Sequence, residues 1–189
     1  MGHHTFDADR ADALEDDSRY AYLSVDELLG LFDFEETDCV VDLGSGTGFY
    51  TRSVAAHVDA VLAIDIQPAM HAAFEAFGRP GNVHRVTASI DGLPVDTDAV
   101  SAAYSTMTYH EFVSERALDE LTRAIEPGGR VAIADWSADG TGDRGPPLAE
   151  RYDAATVAEH LREHGFAIDT ADERRETLVV SARYVPPSA

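Results

Sequence analysis

Asp42-Leu43-Gly44-Ser45-Gly46-Thr47-Gly48, directly after the apolar run Cys39-Val40-Val41, is the stretch on which the fold turns. A β-prone run closes on an acid, three glycines follow at alternate positions, and the helix-compatible segment Phe49 to Val58 comes next. The pattern predicts a strand that bends sharply into a helix. Glycines let backbone approach a ligand closely, and the free N–H groups that open a helix attract a ligand's anionic end.

Outward from this turn the chain alternates short β-branched runs with amphipathic segments. Upstream, Ser24 and Glu27 form a capping box before Val25, Leu28, Leu29 and Phe32, which recur at helical spacing. Residues 1–23 are acid-rich with scattered apolar positions and read as an arm or cap. Downstream, Gly48 to His57 reads as a helix, Ala60 to Ile64 as a second strand ending at Asp65, and Gln67 to Phe77 as a helix with Met70, Ala73, Phe74 and Phe77 on one face. Val83 to Thr87 and Ala99 to Tyr104 are the third and fourth strands. A helix with the stripe Val113, Ala117, Leu118, Leu121 and Ile125 follows, then a break at Pro127-Gly128-Gly129 and a fifth strand, Arg130 to Ala134. The Gly- and Pro-rich segment Ser137 to Pro147 is a long loop, of the kind that often carries function. A helix from Asp153 to His164 leads to Phe166 to Thr170 and Thr177 to Val185, which lie too close in sequence for a parallel crossover and must reverse. The expected fold is therefore α/β, a mostly parallel sheet covered on both faces with the last strand antiparallel. One domain over residues 24–185 and a tail at 186–189 follow.

The charge balance is unusual: 35 Asp and Glu stand against 14 basic residues, every one of them Arg, giving a net charge of -21. The acids are dispersed along the chain. Such a surface repels itself in dilute buffer and suits a cytoplasm loaded with salt, where the Debye length falls to about 3 Å. With no basic stripe, a nucleic acid partner is not expected. No charged-then-apolar leader opens the sequence and no apolar run nears twenty residues, so a cytoplasmic protein without a membrane span is expected. The lone cysteine, Cys39, is expected to be a small core residue. Among the eight histidines, His160 and His164 have i, i+4 spacing but are expected to face solvent, and no metal is expected.

Three kinds of nucleotide site compete for the Gly-rich turn. A P-loop needs a lysine after its last glycine, and the chain has none. A dinucleotide fingerprint needs glycine where Phe49 stands, and a bulky ring there would push the helix away from a pyrophosphate. What remains is an acid two residues before the first glycine and a second acid, Asp65, closing the next strand. That pattern suits a ligand with an amino-acid end, a ribose and a base.

Asp42 to Gly48 resembles the first motif of class I S-adenosylmethionine-dependent methyltransferases. The chain is similar, more narrowly, to the type 11 subgroup related to ubiquinone and menaquinone methyltransferases. The points of likeness are His4-Thr5-Phe6-Asp7, Leu14-Glu15-Asp16 and Arg19 in the arm, His110-Glu111 after the fourth strand, Asp135-Trp136 after the fifth, and Gly145-Pro146-Pro147 before Glu150-Arg151. The resemblance implies a Rossmann-like seven-stranded sheet in the order 3-2-1-4-5-7-6, with the arm over the cofactor mouth. It implies that Asp42 orients the methionine amino group, that Gly44, Ser45, Gly46 and Gly48 shape the methionine end, and that Asp65 binds the ribose hydroxyls with Ile66 beside it. Ser89, where the family ordinarily has an acid, and Ile90 would serve the adenine; Ser105 completes the cofactor set. His110 and Glu111 are the candidate catalytic residues, His110 as the base when the acceptor must lose a proton. Tyr109, Trp136 and His4 are expected on the acceptor side. The implied function is transfer of a methyl group from S-adenosyl-L-methionine to a small or lipophilic molecule. The alternative is a binding protein that uses the same pocket for sensing or assembly.

Overall fold

The computed structural model describes residues 5–32, 35–36 and 38–186. His4, expected on the acceptor side, lies outside the described residues. The arm forms two 3-10 segments, Ala8–Glu15 and Asp17–Ala21, opened by the Asp7 and Asp16 side chains, which accept from the N–H of Asp9 and Ser18. Helix α1 is Val25–Phe32. Ser24 caps it by accepting from the Glu27 N–H at 3.2 Å, but Glu27 turns its carboxylate outward to Arg174, so only half of the expected capping box forms.

The sheet is built from β1 (Cys39–Leu43), β2 (Ala60–Asp65), β3 (Val83–Thr87), β4 (Val100–Thr106), β5 (Ile125–Trp136), β6 (Phe166–Glu173) and β7 (Thr177–Tyr184). Its order is β3-β2-β1-β4-β5-β7-β6, with β7 antiparallel to both neighbours and the remaining pairs parallel. The order and the antiparallel final strand are those the sequence implied. The helices α2 (Thr51–Val54), α3 (Pro68–Phe77), α4 (Tyr109–Phe112), α5 (Glu115–Ala124) and α6 (Ala154–Glu163) cover the two faces.

Alternation along the strands divides the core. On one face Val40, Val61, Ala63 and Tyr104 pack against Leu28 and Phe32 of α1, Val54 of α2 and Phe74 of α3. On the other, Val41, Leu43, Ile64 and Ile133 pack against Leu118 and Leu121 of α5 and Val157 and Leu161 of α6. Two local expectations change. The helix after the Gly-rich turn keeps only Thr51–Val54 as regular α-helix, the rest being turns. The Pro127-Gly128-Gly129 break lies inside β5 as a bulge, because Val100 pairs with Ile125 and Ala102 already with Arg130.

Three side chains sit elsewhere than expected. Cys39 is exposed, at the open end of β1, where the strand has not yet entered the core. His160 does not face solvent: its Nδ1 lies 2.9 Å from the Tyr109 hydroxyl, against the rings of Tyr109 and Tyr152. The His164 side chain is only 9% exposed, its Nδ1 2.8 Å from the His160 carbonyl oxygen. Among the described residues no helix is long and apolar enough to cross a membrane.

Candidate functional site

The chain reverses direction along the sheet between β1 and β4, one connection leading toward β2 and the other toward β5. In open α/β sheets the crevice beyond the carboxyl ends of such strands takes ligands. A cavity of about 790 Å³ occupies it here. Its floor is the Gly-rich turn; its walls are the ends of β2, β4 and β5, the arm and the loop after Trp136.

The turn is held by backbone bonds that leave little freedom. The N–H groups of Gly44 and Ser45 donate to the Ile64 carbonyl at 2.9 and 2.8 Å, tying the turn to β2. Gly44 has φ +78°, and a Cβ there would lie 2.4 Å from Thr108 Cγ2. Thr108 is placed so closely because Met107, at the cavity lip, takes a left-handed φ of 59° and turns the chain sharply out of β4. A non-glycine residue in that region is strained and has to be held by its surroundings; here the Met107 N–H donates to the Ala134 carbonyl at 2.7 Å.

Asp42 is the most buried acid of the cavity, 1% exposed. Its Oδ2 accepts from Thr51 Oγ1 at 2.5 Å and from the Tyr104 hydroxyl at 2.8 Å, while Oδ1 has no partner among the described residues. Burial pushes its pKa up to about 6, against the two hydroxyl bonds that lower it. An orphaned, buried carboxylate oxygen lining a cavity is the acceptor that an ammonium group would complete, so the residues fit the amino-acid end of the expected cofactor. Asp65 is arranged differently from the simple reading. Its Oδ2 accepts from the Gly46 N–H and its Oδ1 from the Gln67 N–H, both at 2.8 Å. One acceptor position remains on each oxygen, enough for a pair of hydroxyls. Burial raises its pKa against those two bonds. Ile66 stands beside it, 55% exposed, and Ile90 and Ser89 line the same end. The Ser89 hydroxyl caps the 3-10 turn Ile90–Gly92 by accepting from Asp91 N–H at 3.4 Å.

At the opposite end His110 and Glu111 line the cavity from α4, next to Trp136. Asp135, closing β5, accepts from the His110 backbone N–H at 2.8 Å and sits 2.9 and 3.0 Å from His110 Nδ1. Burial would lower the His110 pKa, but the hydrogen bond and charge of Asp135, with Glu111 and Glu150 behind, outweigh it and hold the imidazole above its ordinary value. Nε2, the ring nitrogen that Asp135 leaves free, lies 3.9 Å from Glu111 Oε1. Burial pushes the Glu111 pKa up to about 7 although His110 pulls it down. The site thus pairs an imidazole held above its ordinary pKa with a carboxyl that changes protonation near neutrality.

The lid elements are fastened. Glu15 accepts from Thr47 Oγ1 at 2.5 Å and pairs with Arg52, pinning the arm to the Gly-rich turn, and Gln67 Nε2 donates to the Phe6 carbonyl at 2.9 Å. Arg151 donates to the carbonyls of Pro146, Ser137 and Arg144 and lies over Trp136 at 5.5 Å, which holds the loop against the cavity. Gly145 packs directly on the Trp136 ring, where a Cβ would come within 2.5 Å.

Of the residues expected from sequence, Asp42, Gly44, Ser45, Gly46, Asp65, Ile66, Ser89, Ile90, His110, Glu111 and Trp136 line this one cavity. Gly48, Ser105 and Tyr109 do not. Gly48, φ +77°, faces away and lets the Phe74 ring approach. Ser105 is fully buried, whereas its neighbour Thr106, on the other face of the strand, reaches the cavity. Tyr109 is 1% exposed and packs with Phe112 and Tyr152, a core role where an acceptor contact was expected. The sequence reading missed Asp135 as the partner of His110; the signal was an acid closing the strand next to the one that precedes His110.

A methyltransferase domain family, type 11, matches residues 41–133, about half of the chain. A methyltransferase-like protein of Schizosaccharomyces pombe is 28% identical over 134 residues, covering 70% of this chain and 51% of that protein. The demethylmenaquinone methyltransferase of Clavibacter sepedonicus is 32% identical over 100 residues, 52% of this chain and 41% of that protein. The chain spans about half the length of the curated relatives it matches. A S-adenosylmethionine-dependent methyltransferase from Aquifex aeolicus superposes with a TM-score of 0.84 at 28% identity, covering 96% of this chain and 100% of that one. Sheet order, Gly-rich turn and these likenesses agree: the chain belongs to the class I S-adenosylmethionine-dependent methyltransferases, and its cofactor is S-adenosyl-L-methionine.

Proposed function

We propose that this protein transfers a methyl group from S-adenosylmethionine to a small acceptor with an apolar body, at an atom that must lose a proton. The observation that carries the reading is the His110–Asp135 pair facing the same cavity as the Gly-rich turn and the orphaned Asp42 oxygen. Bound there, the cofactor supplies a methyl group on a cationic sulfur, which an acceptor atom takes by in-line displacement.

The chain's own residues divide the work. Asp42 Oδ1 receives the ammonium, and the backbone of Gly44 to Gly46 fits the methionine end. Asp65 uses its remaining acceptor positions for the ribose hydroxyls, and Ile66 and Ile90 flank the base, with Ser89 at its edge. Asp135 fixes the proton of His110 on Nδ1, so that Nε2 is the basic atom offered to the acceptor. Glu111, protonated or ionised near neutrality, tunes that nitrogen or bonds the acceptor directly. Phe6, Tyr22, Trp136, Pro146 and Pro147 make an apolar wall, in which the Tyr22 and Trp136 rings meet at a tilt with centroids 4.9 Å apart. A lipophilic or aromatic acceptor fits that wall, and the name of the Clavibacter relative gives demethylmenaquinone, itself lipophilic, as what that protein acts on. The arm over residues 1–23 serves as the cover of one catalytic domain, and the dispersed acidic surface suits a salt-rich cytoplasm.

Calorimetry in molar salt tests the donor half: S-adenosylmethionine should bind 1:1, and Asp65→Ala should weaken it by about tenfold or more. No binding would sink the reading. For the chemical half, purified protein with methyl-labelled donor is offered a panel of phenols, quinols and carboxylic acids. Turnover should rise with pH as His110 loses its proton, and His110→Ala should abolish it while donor binding stays. A sensor without chemistry would bind the donor and label nothing.

A further inference from the structure

Beyond the wall that faces His110 lies a second cavity, of about 510 Å³, between the end of the arm, the loop after Trp136 and the turn that joins β6 to β7. Tyr22 and Arg144 line both cavities, so the two adjoin there.

Three of the chain's 14 arginines, Arg144, Arg174 and Arg175, border this second cavity in a chain of net charge -21. Its acids are already engaged. Glu27 pairs with Arg174, which also donates to the Tyr22 carbonyl at 3.4 Å and so fastens the end of the arm to the turn after β6. Glu176 accepts from the Thr141 N–H at 3.1 Å, and the Thr141 hydroxyl lies 3.0 Å from both Glu176 and Asp143. Two of the arginines keep donors to spare. Among the described residues no carboxylate comes within 4 Å of Arg144; the Asp16 carboxyl is held below its ordinary pKa first by its bonds to Ser18 and least by the Arg144 charge. The Arg175 side chain is 90% exposed, its Nε 3.9 Å from Glu176 Oε1.

Guanidinium groups with unused N–H donors receive a carboxylate or a phosphate, which accept in pairs. Around His110 the charges have the other sign: Asp135 bonds it, and Glu111 and Glu150 act on it. A negatively charged group is therefore repelled from the reacting end and received at the arginines. Tyr22, which belongs to both cavities, supplies the apolar step between them.

We propose that the second cavity is an acceptor subsite: the molecule methylated beside His110 is amphipathic and carries at its far end an anionic group, a phosphate or a carboxylate, that Arg144 and Arg175 receive. Resting on the acceptor reading above, this narrows the substrate class and sets the direction in which the acceptor lies, uncharged nucleophile inward and anion outward.

Octyl phosphate, octanoate and octanol, equal in chain and different in head, are the probes, each titrated below its micellar concentration into protein saturated with S-adenosylhomocysteine. Trp136, the chain's one tryptophan, borders the acceptor cavity and reports occupancy by its fluorescence. In molar salt the two anions should bind about tenfold more tightly than octanol, and the preference should widen in the lowest salt that keeps the protein folded, because exposed charge pairs are screened. Arg144→Ala and Arg175→Ala, both at exposed side chains, should each weaken the anions about threefold; the double variant should erase the preference and leave octanol within about twofold. The order of the two anions tells phosphate from carboxylate. Octanol bound as tightly as the anions, or all three probes weakened alike by the substitutions, would overturn the proposal and leave the apolar-acceptor reading standing. If none of the three binds while S-adenosylhomocysteine does, both fall. If S-adenosylhomocysteine itself does not bind, the donor reading fails, and the proposal with it.

Discussion

Replacing Asp42 by Asn should make the protein more stable and bind its donor less well. Asp42 is buried to 1% exposure, and its pKa of about 6 stands above the ordinary 3.8 because burial disfavours its charge. At neutral pH the ionised carboxylate therefore costs about 3 kcal/mol of folding stability, roughly two pH units at about 1.4 kcal/mol each. The sign follows from proton counting. Below pH 3.8 the group is protonated in both the folded and the unfolded chain and costs nothing. Between 3.8 and about 6 the unfolded chain gives up the proton first, so the penalty grows, and above 6 it is complete. In Asp42→Asn the amide oxygen can keep the Thr51 and Tyr104 hydroxyl bonds, and the NH₂ takes the place of the unpartnered Oδ1.

Urea unfolding of the donor-free protein in molar salt, followed from pH 4 to 8, measures the difference. The variant should gain about 1–3 kcal/mol at pH 7.5, the lower figure allowing for a less favourable fit of the amide, and nothing near pH 4. Donor binding should fall in the same variant, because an NH₂ now faces an ammonium. A variant less stable than the wild type at pH 7.5, or a gap that ignores pH, would refute the assignment of Asp42 as an acid held in readiness for a cation.

Other substitutions separate packing from binding. Gly48→Ala forces a Cβ to within 2.2 Å of the Phe74 ring at a φ of +77° and should cost about 3 kcal/mol or more in thermal or urea unfolding. Gly46→Ala, whose Cβ finds only Leu14 at 3.6 Å, should cost about 1 kcal/mol. Calorimetry should show the reverse order of harm to donor affinity among the variants that fold. Asp135→Asn removes the largest raising influence on His110, so the imidazole should titrate lower by NMR in the variant than in the wild type, and any pH–rate rise should move with it. Tyr109→Phe removes only the hydroxyl bonded to His160 Nδ1; it should cost about 1 kcal/mol in stability and leave donor binding and turnover unchanged.

What the sequence made legible follows from where the information is local. The turn of Asp42 to Gly48 could be read because glycines at 44, 46 and 48 each answer to the backbone, with φ between +53° and +78°, and backbone demands are written at the residue that meets them. Gly48 nevertheless looked like a ligand contact, because a positive φ serves packing against Phe74 as readily as a cofactor, and Phe74 arrives from a helix 26 positions on. Tyr109 and His110 show the same limit more sharply. Adjacent at a strand end, they were read alike, yet the start of α4 sends Tyr109 into the core beside His160 and His110 to the cavity beside Asp135. Which of two neighbours faces a site depends on helix phase and on partners 25 and 51 residues away, and no nearby residue records either.

Asp42 makes the point from the opposite side. Its place at a strand end could be read, but its unpartnered oxygen is visible only when Thr51 and Tyr104 are folded onto the other one. Sequence patterns report groups that satisfy their own surroundings, such as caps, turns and alternating strands. The cavity-lining Asp42 Oδ1, an acceptor that the fold leaves without a donor among the described residues, emerges only from the three-dimensional pairing of everything else.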